Sequence, residues 1–412
     1  MERNIKIILL ACISLLCIRC ENQVIEPEHS QDVLFNTTQS QIVEADNRFG
    51  IRLLQEISGE KQEENILISP LSVSMALSMA LNGARGDTYD AIRDVLGYHS
   101  LSRDEINESC QKIRTMLTTL DPLFVFDMAN AIWIQKDLAV KEPFILANQH
   151  YFNAVVENLD FDDPASVDYI NNWVADATHH NIPVILNSIP PETALYLMNT
   201  IYFNGRWSHP FEPARTKSGP FYLPDGNEIT IEMMNRSERF PYFETVYLQA
   251  IDLPYRNGHF SMTILLPRPG VDIDTFIADL TYNLWSDWMN LLEERAGEIT
   301  LPKFSITFKM DFLNVLHAMG MGVAFSRQAD FSGISENIPP IDQVLHKTGM
   351  LVGERGTEAA AVTSVRFCGV APEEEFTMIV NRPFLCVIRE RSSNTILFAG
   401  KVMQPEWVSS IQ

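Results

Sequence analysis

The chain has 412 residues, of which 46% are hydrophobic and 20% are charged, and its net charge is -22 at pH 7. This composition is typical of a globular protein that buries a large core. The acidic charge argues against a nucleic-acid partner, because phosphates bind to basic surfaces. The sequence contains no block of five basic residues, so we also expect no heparin-type cofactor.

The N-terminus has the organisation of an export signal. Two basic residues precede the apolar run IILLACISLLCI, which is too short to span a bilayer and has the length of a signal-peptide core. Cys20 follows this run, which resembles a bacterial lipoprotein signal, although Arg19 stands where a small residue is usual. We therefore expect residues 1–20 to be a lipoprotein-type signal with Cys20 lipidated, placing the protein in the cell envelope, as in an outer-membrane lipoprotein. The alternatives are lipidation at Cys17 and a plain signal peptide with a secreted or periplasmic product.

Residues 21–43 are polar and lack periodicity, which predicts a flexible tether. From Glu44 onward the pattern changes, and a helical face carries the apolar residues Phe49, Leu53, Leu54 and Ile57. No linker rich in Pro, Gly or Ser divides residues 44–408. We therefore expect one domain over that range, and a monomer.

Later elements alternate irregularly between helix and strand. A helix that opens at Ser69-Pro70 and ends at Gly83 is apolar on all sides, which predicts a buried helix. The runs at 124–135 and 193–205 are rich in aromatic and β-branched residues and predict long central strands, and FSMTILLP and ILFAGKVM predict shorter ones. Helices concentrate in the first half and strands in the second, so the expected class is α+β.

No catalytic or metal-binding motif is recognisable in the sequence, so we expect neither an enzyme nor a metal protein. The adjacent pair His179-His180 would point about 100° apart on a helix and would not converge on a metal. Cys110, Cys368 and Cys386 are scattered and predict no disulfide framework. We expect Cys110 and Cys386 to be buried as small apolar residues.

The stretch GERGTEAAAVTSVRFCGVAPEEEF, residues 353–376, combines small side chains with a period of two. Counted from Thr357, one alternate set is free of charge, while Glu358 and Arg366 belong to the other, which predicts a strand with one buried face. A helix capped by Thr357 is the alternative, because short runs are ambiguous. A third possibility is a segment that is exposed in one state and is a central strand in another, since narrow side chains enter a packed sheet at little steric cost.

Several long motifs in the same order identify a family. The motifs NILISPLSVSMALSMALNGARGDT, NTIYFNGRWSHPFEPARTK, LPKFSITFKMDFLNVLHAMGMGVAFSRQADFSGIS, VLHKTGMLVGERGTEAAAVT and NRPFLCVIRERSSNTILFAGKV resemble those of serpins. The resemblance runs from about Glu44 to Glu406. It implies a one-domain α+β fold with three sheets, about nine helices and an exposed reactive-centre loop near residues 354–380.

The resemblance also implies an activity. Inhibitory serpins are suicide substrates of serine proteases, and their cleaved loop inserts as a new strand into the large sheet. Glu354 corresponds to the family's hinge glutamate, and the rest of the hinge is Gly356, Thr357, Glu358, Ala359, Ala360, Ala361, Val362 and Thr363. Inhibitory members keep these positions small, as this chain does, so we expect an inhibitor of serine endopeptidases. The alternative is a non-inhibitory binding protein with the same fold.

Two further polar clusters follow from the resemblance. The shutter, beneath the strands that must separate, corresponds to Ser69, Ser72, Asn199 and His346. The breach corresponds to Trp207 and Lys303, and Lys303 is expected to pair with Glu354.

The scissile bond is less closely defined. The family spacing counted from Glu354 makes Val370 the primary specificity residue and Ala371 the next, whereas counting back from the NRPF motif ends on Pro372. Val370 favours elastase-like proteases. Phe367 would suit chymotrypsin- or subtilisin-like enzymes and Arg366 a trypsin-like one, and cysteine proteases stay possible targets. Cys368 would be an exposed thiol in the loop.

Overall fold

The computed structural model describes residues 35–121, 125–336, 338–357 and 375–408. Within those ranges there are nine α-helices: α1 (Thr37–Glu60), α2 (Pro70–Leu81), α3 (Gly86–Leu96), α4 (Arg103–Thr119), α5 (Glu142–Phe152), α6 (Ala165–Ala177), α7 (Ile273–Ala278), α8 (Tyr282–Asn290) and α9 (Leu313–Leu316). The strands of the same ranges are β1 (Ile66–Ile68), β2 (Val125–Gln135), β3 (Val155–Leu159), β4 (Leu195–Arg206), β5 (Lys217–Tyr222), β6 (Glu228–Glu244), β7 (Leu248–Pro254), β8 (Phe260–Pro267), β9 (Glu293–Pro302), β10 (Phe304–Asp311), β11 (Leu345–Gly353), β12 (Gly356–Thr357), β13 (Phe376–Ile379), β14 (Phe384–Glu390) and β15 (Ile396–Val402).

The strands form three sheets. One has six strands in the order β10, β11, β12, β4, β2, β3. The other two share the long strand β6, which pairs with β5 over residues 228–233, with β9 over residues 233–242 and with β7 over residues 242–244. Strands β13 and β9 extend the first of these, and β7, β8, β14, β15 and β1 complete the second. The predicted α+β class with three sheets is confirmed.

The domain begins earlier than predicted. Helix α1 starts at Thr37, where Asn36 and Gln39 form a reciprocal capping box, so residues 37–43 are not a tether. Ile42 and Val43 are buried in the core, and this burial stabilises a turn of helix that shows little periodicity in the sequence. Residues 21–34 lie outside the part of the chain that the structure describes.

The central elements match the sequence-based expectations. Helix α2 is buried along nearly its whole length, and strands β2, β4, β8 and β15 lie where the aromatic and β-branched runs predicted them. Helix α2 packs against one face of the six-stranded sheet, where the Ser72 hydroxyl donates to the Asn199 carbonyl of β4 at 3.3 Å. Helix α6 covers the other face in a second apolar cluster that contains Trp133, Tyr196 and Val174.

Two smaller expectations have different outcomes. Cys110 and Cys386 are buried, as predicted. His179 and His180 do not lie on a helix, since α6 ends at Ala177 and both histidines have positive φ angles of 49° and 65°. His179 instead lies 2.8 Å from Asp127.

None of the helices in the described ranges is long and apolar enough to cross a bilayer.

Candidate functional site

The hinge begins as a tight hairpin inside the six-stranded sheet. Strand β11 ends at Gly353, Glu354 and Arg355 form the turn, and Gly356–Thr357 return as β12 between β11 and β4. The predicted strand at Thr357 is therefore confirmed, and the helix-cap alternative for Thr357 is wrong, because its backbone is paired on both sides. The remaining hinge residues lie outside the described ranges: Glu358, Ala359, Ala360, Ala361, Val362 and Thr363.

Only glycine satisfies the geometry at position 356. Its φ angle is 145°, and a Cβ built there would lie 2.0 Å from the carbonyl oxygen of Gly205 on β4. No side chain fits at that distance, so Gly356 lets β12 approach β4 closely enough to pair.

Thr357 is the first hinge side chain inside the sheet. It is 3% exposed, and its Oγ1 lies 2.6 Å from the Tyr255 hydroxyl. The Tyr255 ring in turn stacks on Trp207, with ring centroids 4.5 Å apart and planes 12° apart. The aromatic pair therefore supports the hinge from beneath.

The breach surrounds the turn of this hairpin. Lys303 Nζ lies 3.2 Å from Glu354 Oε2, which confirms the predicted contact, and the Thr216 hydroxyl donates to Glu354 Oε1 at 3.1 Å. The Trp207 indole donates to the Gly353 carbonyl at 2.9 Å. Burial favours a higher pKa for Glu354, but hydrogen bonds from its own backbone and from Lys303 outweigh burial and lower the pKa below its usual value.

Below Thr357, no strand of the described ranges lies between β4 and β11. Strand β4 pairs with β2 on one side and β11 pairs with β10, but among the described residues no hydrogen-bond register joins β4 to β11 except through β12. A cavity of about 130 Å³ lies at the lower end of this gap, between α2, β4, β11 and residues 338–344. A smaller cavity of about 20 Å³ lies under Thr357. We call the space between β4 and β11 the gap.

The shutter residues meet where α2 begins. The Ser69 hydroxyl donates to the Leu397 carbonyl at 2.7 Å, and the Ser69 N–H donates to His346 Nε2 at 3.2 Å. His346 must therefore be neutral at Nε2, and its burial lowers its pKa to about 3. The Ser72 N–H donates to the Ser69 hydroxyl at 3.3 Å, so the two serines and His346 form one connected group.

Asn199 reaches the same region from β4. Its Nδ2 donates to Asn130 Oδ1 on β2 at 2.7 Å, and Asn130 Nδ2 donates to the Phe152 carbonyl. The Asn199 Oδ1 is buried beside the gap and has no hydrogen-bond partner within the described ranges. An acceptor left unpaired at this position is costly and would be satisfied by a donor entering the gap.

Sequence reasoning missed three residues that hold this site together. Tyr255 binds Thr357, Thr216 binds Glu354, and Asn130 orients Asn199. Tyr255 and Thr216 carry no local signal, because each sits at an ordinary strand end or turn. Asn130 is the exception: a buried asparagine in the middle of an apolar strand is a polar residue that requires a partner.

Other predicted site residues lie outside the described ranges. These are the lipidation candidate Cys20 and the loop residues Arg366, Phe367, Cys368, Val370 and Ala371. Both ends of the predicted loop 354–380 lie in strands, because Thr357 is buried in β12 and Phe376 and Met378 are buried in β13. Within the described part of the chain, no group of three His, Cys, Asp or Glu side chains could hold a metal ion.

Comparison with known proteins agrees with this architecture. The family profile described as "Serpin (serine protease inhibitor)" matches residues 44–405. Human neuroserpin is 32% identical over 377 residues, which cover 87% of this chain and 91% of neuroserpin. An uncharacterized serpin-like protein of Methanosarcina mazei is 33% identical over 429 residues, which cover 98% of this chain and 99% of that protein.

Solved structures agree as well. The thermophilic serpin tengpin in its native state has a TM-score of 0.81 at 30% identity, covering 90% of this chain and 96% of tengpin. Human thyroxine-binding globulin has a TM-score of 0.83 at 27% identity, covering 90% of this chain and all of the globulin. Because the family profile matches most of the chain and the relatives are similar over most of its length, the chain belongs to the serpin family.

Proposed function

We propose that this protein is a suicide-substrate inhibitor of serine endopeptidases and that it acts by inserting its cleaved loop into the gap. The position of β12 is the observation that carries the proposal. Gly356 and Thr357 already pair with both β11 and β4 at the top of the gap, so the residues that follow them would continue downward as a strand.

The chemistry begins as ordinary proteolysis. The protease serine attacks the carbonyl carbon of Val370, the bond to the Ala371 nitrogen breaks, and the protease histidine protonates the departing amine. The loop is then joined to the protease through an ester. Water would hydrolyse that ester, so inhibition requires insertion to be faster than hydrolysis.

Insertion displaces the protease over a long distance. The fourteen residues from Thr357 to Val370 span on the order of 45 Å when they are extended at ~3.3 Å each. An active site loses about 10²-fold in rate from a misplacement of ~1 Å. The ester therefore persists once the inserted strand pulls the protease against the far end of the domain.

Two contributions drive the insertion. Each new backbone hydrogen bond to β4 or β11 contributes about 0.5–1.5 kcal/mol net. Burial of apolar side chains adds ~25 cal/mol per Å². The alanines at 359–361 are narrow enough to enter the sheet without displacing its packing.

The target class follows from the residue before the scissile bond. Val370 suits the small apolar pocket of an elastase-like protease. Arg366 and Phe367 would suit trypsin-like and chymotrypsin- or subtilisin-like proteases if the bond lay earlier in the loop.

Protection of the cell envelope from foreign proteases is the proposed role if Cys20 is lipidated. Mass spectrometry of the mature N-terminus tests that anchor, and a chain that starts unmodified beyond Cys20 would exclude it.

The inhibitory function is tested by incubation with pancreatic elastase. We expect a covalent complex that survives SDS and a released C-terminal peptide that begins at Ala371. A different first residue would reassign the bond without affecting the mechanism. If only cleaved protein appears, with every serine protease of a panel, the chain is a non-inhibitory serpin-fold binding protein. The cleaved protein should also unfold at a much higher temperature, because the gap is then filled.

A further inference from the structure

The residues that follow β15 return to the six-stranded sheet and pair with its outer edge. The Ser305 N–H donates to the Glu406 carbonyl at 2.7 Å, and the Ser305 hydroxyl donates to the same oxygen at 3.0 Å. The Val408 N–H donates to that hydroxyl at 3.2 Å. Because Ser305 lies on the edge strand β10, these bonds hold residues 406–408 against that edge through an isolated antiparallel bridge at Glu406, and we call these residues the tail.

The tail places Trp407 against the breach. Lys303 Nζ lies 4.4 Å from the centroid of the Trp407 ring, a cation–π distance, and the same ammonium binds Glu354. A Cβ on Gly353 would lie 3.3 Å from Trp407 Cη2, so the indole also covers the Gly353 backbone. Trp407 therefore contacts the base of the β11–β12 hairpin and the cation that holds its turn.

We propose that Trp407 is a positioning residue: acting through Lys303 and Glu354, it holds the turn from which the inserting strand continues. The inference rests on the proposed inhibitory function. Extending an existing strand is easier than starting one, because the first pairing fixes many backbone angles for few hydrogen bonds. In this structure β12 is that first pairing, and its stability depends on the turn at Glu354 and Arg355.

Loss of the indole should loosen the turn in a defined way. The Lys303 side chain would no longer be held by the ring and would move more, so its ion pair with Glu354 would hold the turn less firmly. As a result, β12 would separate more often from β4. Insertion would then start later after cleavage, and water would hydrolyse a larger share of the acyl-enzyme. The attack on the loop itself should not change, since Trp407 does not take part in it.

The test separates these two steps. For Trp407→Ala we expect the partition between hydrolysis and trapping to shift about 2- to 5-fold toward hydrolysis, which is the range of an exposed cation–π contact. The rate constant for the first attack by elastase should match that of the wild type. Trp407→Phe keeps a ring over Lys303 and should restore most of the trapping. In a Lys303→Met background, Trp407→Ala should have little further effect.

A second readout needs no protease. Amide hydrogen exchange at Gly356 and Thr357 in the intact protein should be about 2- to 5-fold faster in Trp407→Ala than in Trp407→Phe. Equal partition and equal exchange in the two variants would overturn the inference. If the wild type itself forms no complex, the inhibitory function fails, while the exchange measurement still decides whether Trp407 holds the turn.

Discussion

Thr357 and Tyr255 share a buried hydrogen bond of 2.6 Å, although they are far apart in sequence. Thr357 is the first hinge side chain in the sheet, and Tyr255 follows the last residue of β7. This bond ties the start of the predicted hinge to the end of β7.

Removal of that bond should free the hinge. Tyr255→Phe keeps the ring that stacks on Trp207 but removes the hydroxyl that bonds to Thr357. The buried Thr357 hydroxyl then lacks this partner, which should lower the free energy of unfolding by about 1–3 kcal/mol. We expect faster amide exchange in β12 and a lower midpoint of thermal unfolding. Tyr247→Phe is the matched control, because Tyr247 is 67% exposed. Equal exchange in the two variants would show that the bond is irrelevant to the hinge.

Under the proposed mechanism, a charge at Thr357 should convert the protein from an inhibitor into a substrate. The Thr357 side chain is 3% exposed beside a cavity of about 20 Å³, so an arginine there would have to be buried without a partner or remain outside the sheet. We expect Thr357→Arg to be cleaved by elastase at the normal rate and to form little covalent complex. Thr357→Ser keeps the hydroxyl and should trap normally. Full trapping by Thr357→Arg would contradict insertion from this hinge.

The ion pair at the breach should depend on pH. Lys303 and Glu354 are mostly buried, so Glu354→Gln leaves the ammonium poorly paired and should lower the free energy of unfolding by about 1–3 kcal/mol at pH 7. Because the pKa of Glu354 is lowered in the folded protein, its contribution is complete above the ordinary value of 4.5 and is lost as the pH falls through the folded value.

The measurement is a pair of urea titrations of wild type and Glu354→Gln at pH 7 and at pH 3.5. The difference between the two midpoints should shrink at the lower pH. A constant difference would mean that the glutamate stabilises the breach by shape and not by charge.

Two buried groups should have opposite effects on stability between about pH 4 and 6.5. Burial lowers the pKa of His346 to about 3, so the unfolded chain binds the proton first and stability is lost as the pH falls. Burial raises the pKa of Asp46 to about 7, despite a hydrogen bond from Tyr98, so the folded chain holds the proton longer and stability is lost as the pH rises. Each group changes the free energy of unfolding by at most about 1.4 kcal/mol per pH unit, and the two changes largely cancel.

Single substitutions should reveal each slope. In Asp46→Asn the denaturant midpoint should fall as the pH is lowered from 6.5 to 4, because only the histidine contribution is left. In His346→Gln, whose side-chain oxygen can accept the Ser69 N–H, the midpoint should instead rise over the same change. Asp137→Asn, at an exposed turn, should keep the wild-type profile. If all three profiles coincide, these two groups do not govern the pH dependence.

The sequence by itself determined the elements and much of the site. Periodicity and β-branched runs identified α2, β2 and β4, and the family motifs led to the pair Lys303–Glu354 and to the shutter serines, because these features are carried by consecutive residues. The alternation that begins at Thr357 predicted its burial correctly.

Tertiary structure decided the features that depend on distant partners. The start of α1 at Thr37 follows from the burial of Ile42 and Val43, and the bond from Tyr255 to Thr357 follows from where β7 ends against β12. Only the assembled sheet shows that, among the described strands, β4 and β11 are joined solely through β12, and that Trp407 reaches Lys303. Local patterns specify which face of a segment is apolar, but the packing of the whole chain selects what that face meets.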